Sequence, residues 1–181
     1  MFQPVHRVGA IATRLCAAAI VTVVTVVASG CAKVDLQSAF TMEELTSGYY
    51  DTGVNDAGQT KMVPSLTFRL KNVLSEPISS VDLLVFYWGE EFGERKEMDE
   101  AIVRVVGSDG LQPGALTEPI TLRAKQGFTL NQPRAEMFQN SYFRDMTAKL
   151  FLKRGGRIVP LGEFTVERRL LLAAPTGAGV Q

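Results

Sequence analysis

The chain has 181 residues, with 19 basic residues matched by 19 acidic ones, so nothing in its net charge points to nucleic acid, which is held by clustered cations. Its single histidine, His6, and both cysteines, Cys16 and Cys31, lie within the first 31 residues. The remainder therefore lacks the groups for a Ser-His-Asp or Cys-His nucleophile, for a zinc or copper site, and for an internal disulfide, leaving only all-oxygen calcium or magnesium sites to consider.

Residues 1–14 carry Arg7 and Arg14 and no acid, and no charge follows from Leu15 to Ala32. A basic start followed by an apolar run is the pattern of a segment that enters a translocon. The run ends in the small residues Ala28, Ser29 and Gly30, directly before Cys31. This resembles the lipobox of bacterial lipoproteins, although Ala28 stands where Leu is commoner. The resemblance implies a diacylglyceryl group on the Cys31 thiol, cleavage before Cys31, and acylation of the new amino terminus. The competing readings are an uncleaved signal anchor, since 18 uncharged residues reach the lower edge of a bilayer span, about 17–25 residues, and simple cleavage with secretion. The small residues before the cysteine favour the lipoprotein. Ala32 and Lys33 follow it, with no Asp of the kind that retains enterobacterial lipoproteins in the inner membrane. In a two-membrane cell the outer membrane, facing the periplasm, is the expected location.

Cleavage after residue 30 leaves 151 residues, one domain's worth, and the loss of Arg7 and Arg14 leaves 17 basic residues against 19 acidic. Residues 31–48 mix charged and scattered apolar side chains and read as a lipid-anchored tether, with at most a helical turn at Thr41–Leu45. Tyr49-Tyr50 is the expected start of the folded part. Asp51 to Gly58 is dense in turn formers and reads as a hairpin tip. A calcium loop is the alternative there, but Gly53 fills a ligand position and Asp56 stands where such a loop needs Gly.

Leu66-Thr67-Phe68-Arg69-Leu70-Lys71 alternates strictly between apolar and polar residues, the pattern of a half-buried strand. Asn72 to Pro77 turns the chain. Val81 to Trp88 is a second strand, apolar on both faces after Asp82, and so predicted to be central. The stretch Leu66 to Trp88, with Asn72, Glu76-Pro77-Ile78 and the ending Phe86-Tyr87-Trp88, resembles small periplasmic lipoproteins of the YcfL type and, more loosely, FxLYD-like domains. That resemblance, over about residues 60–170, implies an immunoglobulin-like β-sandwich in which the turn joins strands of opposite sheets. Function does not follow from such a fold.

Glu94 to Glu100 reads as a short helix or a charged connection, Ile102 to Val106 as a strand, and Gly107 to Gly114 as turns. Pro119 to Arg123 is extended, Gly127 to Phe143 irregular, with a helical turn within Pro133–Asn140. Ala148 to Lys153 places Ala148, Leu150 and Leu152 on one face of a strand. Arg154-Gly155-Gly156-Arg157 is a hairpin connection, and Gly162 to Glu167 returns with Phe164 and Val166 inward. The expected architecture is thus all-β and mainly antiparallel, an immunoglobulin-like β-sandwich of about seven strands over residues 49–172, with a disordered tail at 173–181.

Three groups bear on function. Glu90, Glu91, Glu94, Glu97, Asp99 and Glu100 suggest a general acid/base pair or a cation site, but a solvated charged loop is the simpler reading. Lys149, Lys153, Arg154, Arg157, Arg168 and Arg169 suit phosphate or carboxylate partners, yet edge-strand protection accounts for them. Phe86, Tyr87 and Trp88 cannot all point inward, so core packing is expected for some and exposure for at least one. The candidate partner surface is Trp88, Glu90, Lys153, Arg154 and Arg157, and the lipid-attachment residue is Cys31. No catalytic residue, cofactor or metal ligand is identified. The expected function is a membrane-anchored, non-enzymatic binding or assembly module for an envelope protein, peptide or glycan. The alternative is a carboxylate-dependent hydrolase acting on an envelope polymer.

Overall fold

In the computed structural model, which describes residues 34–91 and 93–171, the alternating segment at Leu66 lies inside a longer strand. The strands are β1 (Phe40–Val54), β2 (Thr60–Asn72), β3 (Val81–Glu91), β4 (Glu94–Val106), β5 (Ile120–Arg123), β6 (Phe128–Leu130), β7 (Met146–Arg154), β8 (Arg157–Thr165) and β9 (Leu170–Leu171). One helical turn, α1 (Arg134–Met137), interrupts them. A five-stranded sheet runs β5-β2-β1-β9, with β6 also on β2, and a four-stranded sheet runs β4-β3-β7-β8. All pairings are antiparallel except β1 with β9, where Tyr49 and Tyr50 lie beside Leu170 and Leu171. The chain is an all-β sandwich. Among the described residues no helix is long and apolar enough to cross a membrane.

Period-2 patterning places the core. Leu66, Phe68 and Leu70 of β2 are fully buried, as are Val81, Leu83, Val85 and Tyr87 of β3 and Ala148, Leu150 and Leu152 of β7. Each large apolar side chain withdrawn from water contributes about 1.5–3 kcal/mol before conformational entropy is subtracted. Tyr87 spans the two layers: its hydroxyl donates to the Leu122 carbonyl across the core at 3.1 Å. Burial pushes its ionisation well above the ordinary tyrosine range.

The segment expected to be a tether is largely structural. Leu36, Ala39 and Phe40 are buried in the core, and β1 begins at Phe40, nine residues before the expected start. The alternation was disguised because β1 carries a bulge between Glu43 and Thr46, with Glu44 at φ +56°, which breaks the two-residue period. The turn predicted at Asp51–Gly58 falls at Asn55–Gln59, where the Asn55 side-chain oxygen accepts the main-chain N–H groups of Ala57 and Gln59. Nine strands replace the expected seven or so: β6 and β9 are too short to leave a pattern.

The crossing between sheets turns on Asn72, which has no exposed surface. Its amide nitrogen donates to the carbonyls of Glu76 and Leu111, both at 2.9 Å, and its side-chain oxygen accepts the Leu74 N–H at 3.0 Å. Asn72→Ala is expected to lower the unfolding free energy by about 2 kcal/mol, because it leaves buried main-chain groups without partners. Urea denaturation checks this, and a variant within a few tenths of a kcal/mol of the parent would contradict it.

Candidate functional site

The four-stranded sheet has an inner face in the core and an outer face that no element covers among the described residues. The register fixes what stands on that outer face. Asp82, Leu84, Phe86, Trp88 and Glu90 alternate along β3, opposite Arg104, Ile102, Glu100, Glu97 and Arg95 of β4. On the other side they meet Lys153, Phe151, Lys149 and Thr147 of β7, which lie beside Ile158, Pro160, Glu163 and Thr165 of β8. Ile102, Leu84, Phe151 and Pro160 therefore form an apolar row across all four strands. Phe86 packs edge-on against Phe151 with ring centroids 5.7 Å apart. Ile102 and Ile158 are 58% and 55% exposed, and Leu84, Phe86 and Phe151 are half-buried.

Charges bracket this row. At one end the Trp88 ring lies 5.7 Å from the Arg95 guanidinium carbon and 5.5 Å from the Lys149 ammonium. Both cations pair with Glu163. The Arg95 hydrogen bond, helped by Lys149, holds the Glu163 carboxyl below the usual carboxylate range. The indole N–H of Trp88 is buried and has no hydrogen-bond partner among the described residues. At the other end Arg104 pairs with Asp82, next to Lys153.

The five-stranded sheet presents a different outer face. There the Thr67 and Thr121 hydroxyls lie 3.1 Å apart, Arg69 pairs with Glu44, Lys71 pairs with Glu43, and the Arg123 guanidinium covers the Tyr50 ring at 3.6 Å. The charged groups there are paired with one another or laid on an aromatic ring. Among the described residues, the apolar row belongs to the four-stranded sheet.

The predicted partner surface divides in two. Trp88 and Glu90 stand near the β3–β4 turn; Lys153, Arg154 and Arg157 stand at the β7–β8 turn, six positions away along β3, about 20 Å. Arg154 donates to the Ser79 carbonyl at 2.9 Å and Arg157 to the Val34 carbonyl at 3.3 Å. Edge protection does not account for Lys149 and Lys153, because β7 lies inside the sheet between β3 and β8. Arg168 and Arg169 clamp the segment before β9: Arg168 holds Asp145 with two bonds, at 2.7 and 3.1 Å, and Arg169 donates to the Ser47 carbonyl at 2.7 Å.

The charged run at Glu94–Glu100 is neither helix nor loop but the first half of β4, paired with β3. An edge strand with one face and one edge in water can carry charge on most positions without cost, and such charge discourages sheet addition. Its acids do not stand alone: Asp99 accepts the main-chain N–H groups of Lys125 and Gln126. Among the described residues no group of three or more His, Cys, Asp or Glu side chains could hold a metal ion. At the turn first weighed as a calcium loop, Asp51 pairs with Arg134. Of the three adjacent aromatics, Tyr87 alone enters the core, and Phe86 and Trp88 face outward. Leu84, Ile102 and Phe151 escaped the sequence reading, though Val81–Trp88 signalled them by being apolar on both faces. Cys31 and the leader, like the tail at 173–181, lie outside the described residues.

No protein-family model matches the chain, and no curated protein matches it. Among solved structures, the chain is similar to the structural-genomics target SoR45, at 15% identity and TM-score 0.38, over 81% of this chain and 99% of that one. It is also similar to the putative ApaA protein of Bordetella pertussis, at 18% identity and TM-score 0.36, over 71% and 94%. A protein from Archaeoglobus fulgidus shares 13% identity at TM-score 0.31, over 72% and 100%. Likenesses this distant carry no information about the site.

Proposed function

We propose that the chain is a cell-envelope lipoprotein, anchored through Cys31 and related to the YcfL-type lipoproteins, whose sandwich domain is a non-enzymatic module that binds another envelope protein. The observation that carries the binding reading is the apolar row Ile102-Leu84-Phe151-Pro160 on the outer face of the four-stranded sheet. Aromatic and aliphatic side chains ringed by charge are the composition of a protein interface, with an apolar centre and a polar rim. A protein is favoured over a glycan because the one indole on this face is engaged by Arg95 and Lys149 instead of lying open for sugar stacking. Hydrolysis is disfavoured because the acids of β4 are strung along an edge strand and Asp99 is taken by the 125–126 amides. The outer membrane, facing the periplasm, is the proposed location.

Photo-crosslinking amino acids placed at Phe151 and Ile102 test this in the native envelope. Discrete protein adducts are expected from both positions and none from Thr121 on the outer face of the other sheet. Adducts of equal yield at Thr121, or none at Phe151 and Ile102, would overturn it.

A further inference from the structure

Resting on the anchor reading, we propose that the β7–β8 turn end of the sandwich lies directly on the membrane, with Lys153, Arg154 and Arg157 against the phosphates of anionic lipid headgroups. Two independent observations meet at this end. The first is chain length. Val34 packs against the core and Leu36 is only 2% exposed, so the folded domain begins three residues after Cys31. Three residues span at most about 11 Å even when fully extended, only a few ångströms more than a headgroup layer of about 5–8 Å. An acyl group on Cys31 therefore holds whichever part of the domain is next to Val34 at the lipid surface.

The second is charge. The Val34 carbonyl accepts the Arg157 hydrogen bond at 3.3 Å, so the part next to Val34 is the β7–β8 turn. The Ser79 carbonyl is bonded by Arg154, and the Ser80 N–H donates to the Gly107 carbonyl, so the start of β3 and the end of β4 share this end. Arg69, Arg95, Arg104, Arg134, Arg168 and Arg169 each face a carboxylate. Lys153, Arg154 and Arg157 have none among the described residues; Arg123, Arg144, Lys61 and Lys125 also have none, but they lie elsewhere, Arg123 on the Tyr50 ring and Arg144 and Lys61 on backbone carbonyls. At the β7–β8 turn, the cations' donors beyond the Ser79 and Val34 bonds remain open to phosphate oxygens, which guanidinium groups bind bidentately. Exposed Ile158, the cross-strand neighbour of Lys153, adds an apolar contact of the kind that enters the headgroup region. Of the acids at this end Asp82 is paired, with Arg104. Asp35 and Asp109 are hydrogen-bonded by neutral donors, which leave their charge uncancelled, and Glu76 in the 72–77 turn is exposed, so the cationic surface is confined to the β7–β8 turn itself.

This seating stands the sandwich on end. β3 runs about 30 Å from Val81 to Glu91, away from the lipid, carrying the outer face of the four-stranded sheet upright into the aqueous space.

The mature lipidated chain, reconstituted in phosphatidylcholine vesicles with and without the anionic lipid phosphatidylglycerol, tests the proposal. Acylation consumes Cys31 and cleavage removes Cys16, so Ser108→Cys and Asp56→Cys each give one reactive thiol for a fluorophore, at the proposed lipid end and at the β1–β2 turn. Headgroup-attached quenchers are expected to quench the probe at 108 and not the probe at 56. Phosphatidylglycerol should increase quenching at 108 in the parent, and Lys153→Gln with Arg157→Gln should return it to the pure phosphatidylcholine level while leaving that level unchanged, each cation near an anionic surface being worth about a fivefold factor in the contact equilibrium. Equal quenching at both probes, no quenching at 108 on an anchored protein, or indifference to the double substitution would overturn the seating. A protein that does not stay on the vesicles at all would instead overturn the anchor.

Discussion

Cys31→Ser is expected to move the protein from the membrane fraction to the soluble fraction. It removes the only thiol at the lipobox-like boundary, and with it the acyl chains that bind at about 0.8 kcal/mol per buried CH₂, so the membrane partition constant falls by many orders of magnitude. Fractionation after carbonate and high-salt washing, together with the mass of the amino-terminal peptide, reads the result. Salt matters because Lys153, Arg154 and Arg157 would retain some unlipidated protein on anionic lipid at low ionic strength. A variant that stays with the membrane after both washes would mean that the apolar run itself spans the bilayer.

The second large effect is predicted at Gly127, where the connection from β5 to β6 crosses β2. A Cβ at this position would stand 2.1 Å from the Met62 carbonyl oxygen and 2.9 Å from both the Met62 carbonyl carbon and the Val63 Cα. All three are main-chain atoms of a central strand, so no rotamer change relieves the clash, and the β5–β6 connection must lift from β2. Gly127→Ala is expected to destabilise the domain by about 3 kcal/mol, as overpacking against backbone does. The probe nearest the damage is the β6 pairing of Phe128 with Met62. Amide exchange at Phe128–Leu130 should accelerate more than exchange at β7. Unchanged melting would show that the connection shifts without cost.

Those two positions illustrate what a single sequence makes visible. Cys31 stood out through its neighbours, because leaders obey local rules of charge, length and residue size. Gly127 did not, since the reason for a glycine there is a strand 65 residues earlier in the chain. The core strands were legible for the same local reason: Leu66, Phe68 and Leu70, and Ala148, Leu150 and Leu152, each write a period of two. The start of β1 is hidden because its bulge at Glu43–Thr46 resets the period partway along. Ile102–Val106 is legible as a strand, but the first half of β4 is not, because Glu94–Glu97 are exposed and charged and give no alternation.

The outer face was half legible. Apolar residues on both sides of Val81–Trp88 announced a strand covered twice, and the inference that it is central is correct, since β3 lies between β4 and β7. Among the described residues no element covers its second face. Trp88 and Glu90 were grouped with Lys153, Arg154 and Arg157 on residue type alone. Register separates them, and register depends on pairings between segments some 65 residues apart. The separation leaves the indole near the β3–β4 turn and the hairpin cations at the β7–β8 turn, with the apolar row between them.

The parallel pair of β1 and β9 joins Tyr49 to Leu170, and the Tyr49 N–H is bonded to the Arg169 carbonyl at 2.8 Å. One edge of the five-stranded sheet is thus completed by residues that emerge about 120 positions after the strand they complete. Contacts this remote in sequence close slowly, because loop entropy must be overcome before they form. In synthesis from the amino terminus β1 appears before every other strand and β9 after them, so the edge of the five-stranded sheet is completed only once residues 170–171 are available to pair with Tyr49 and Tyr50.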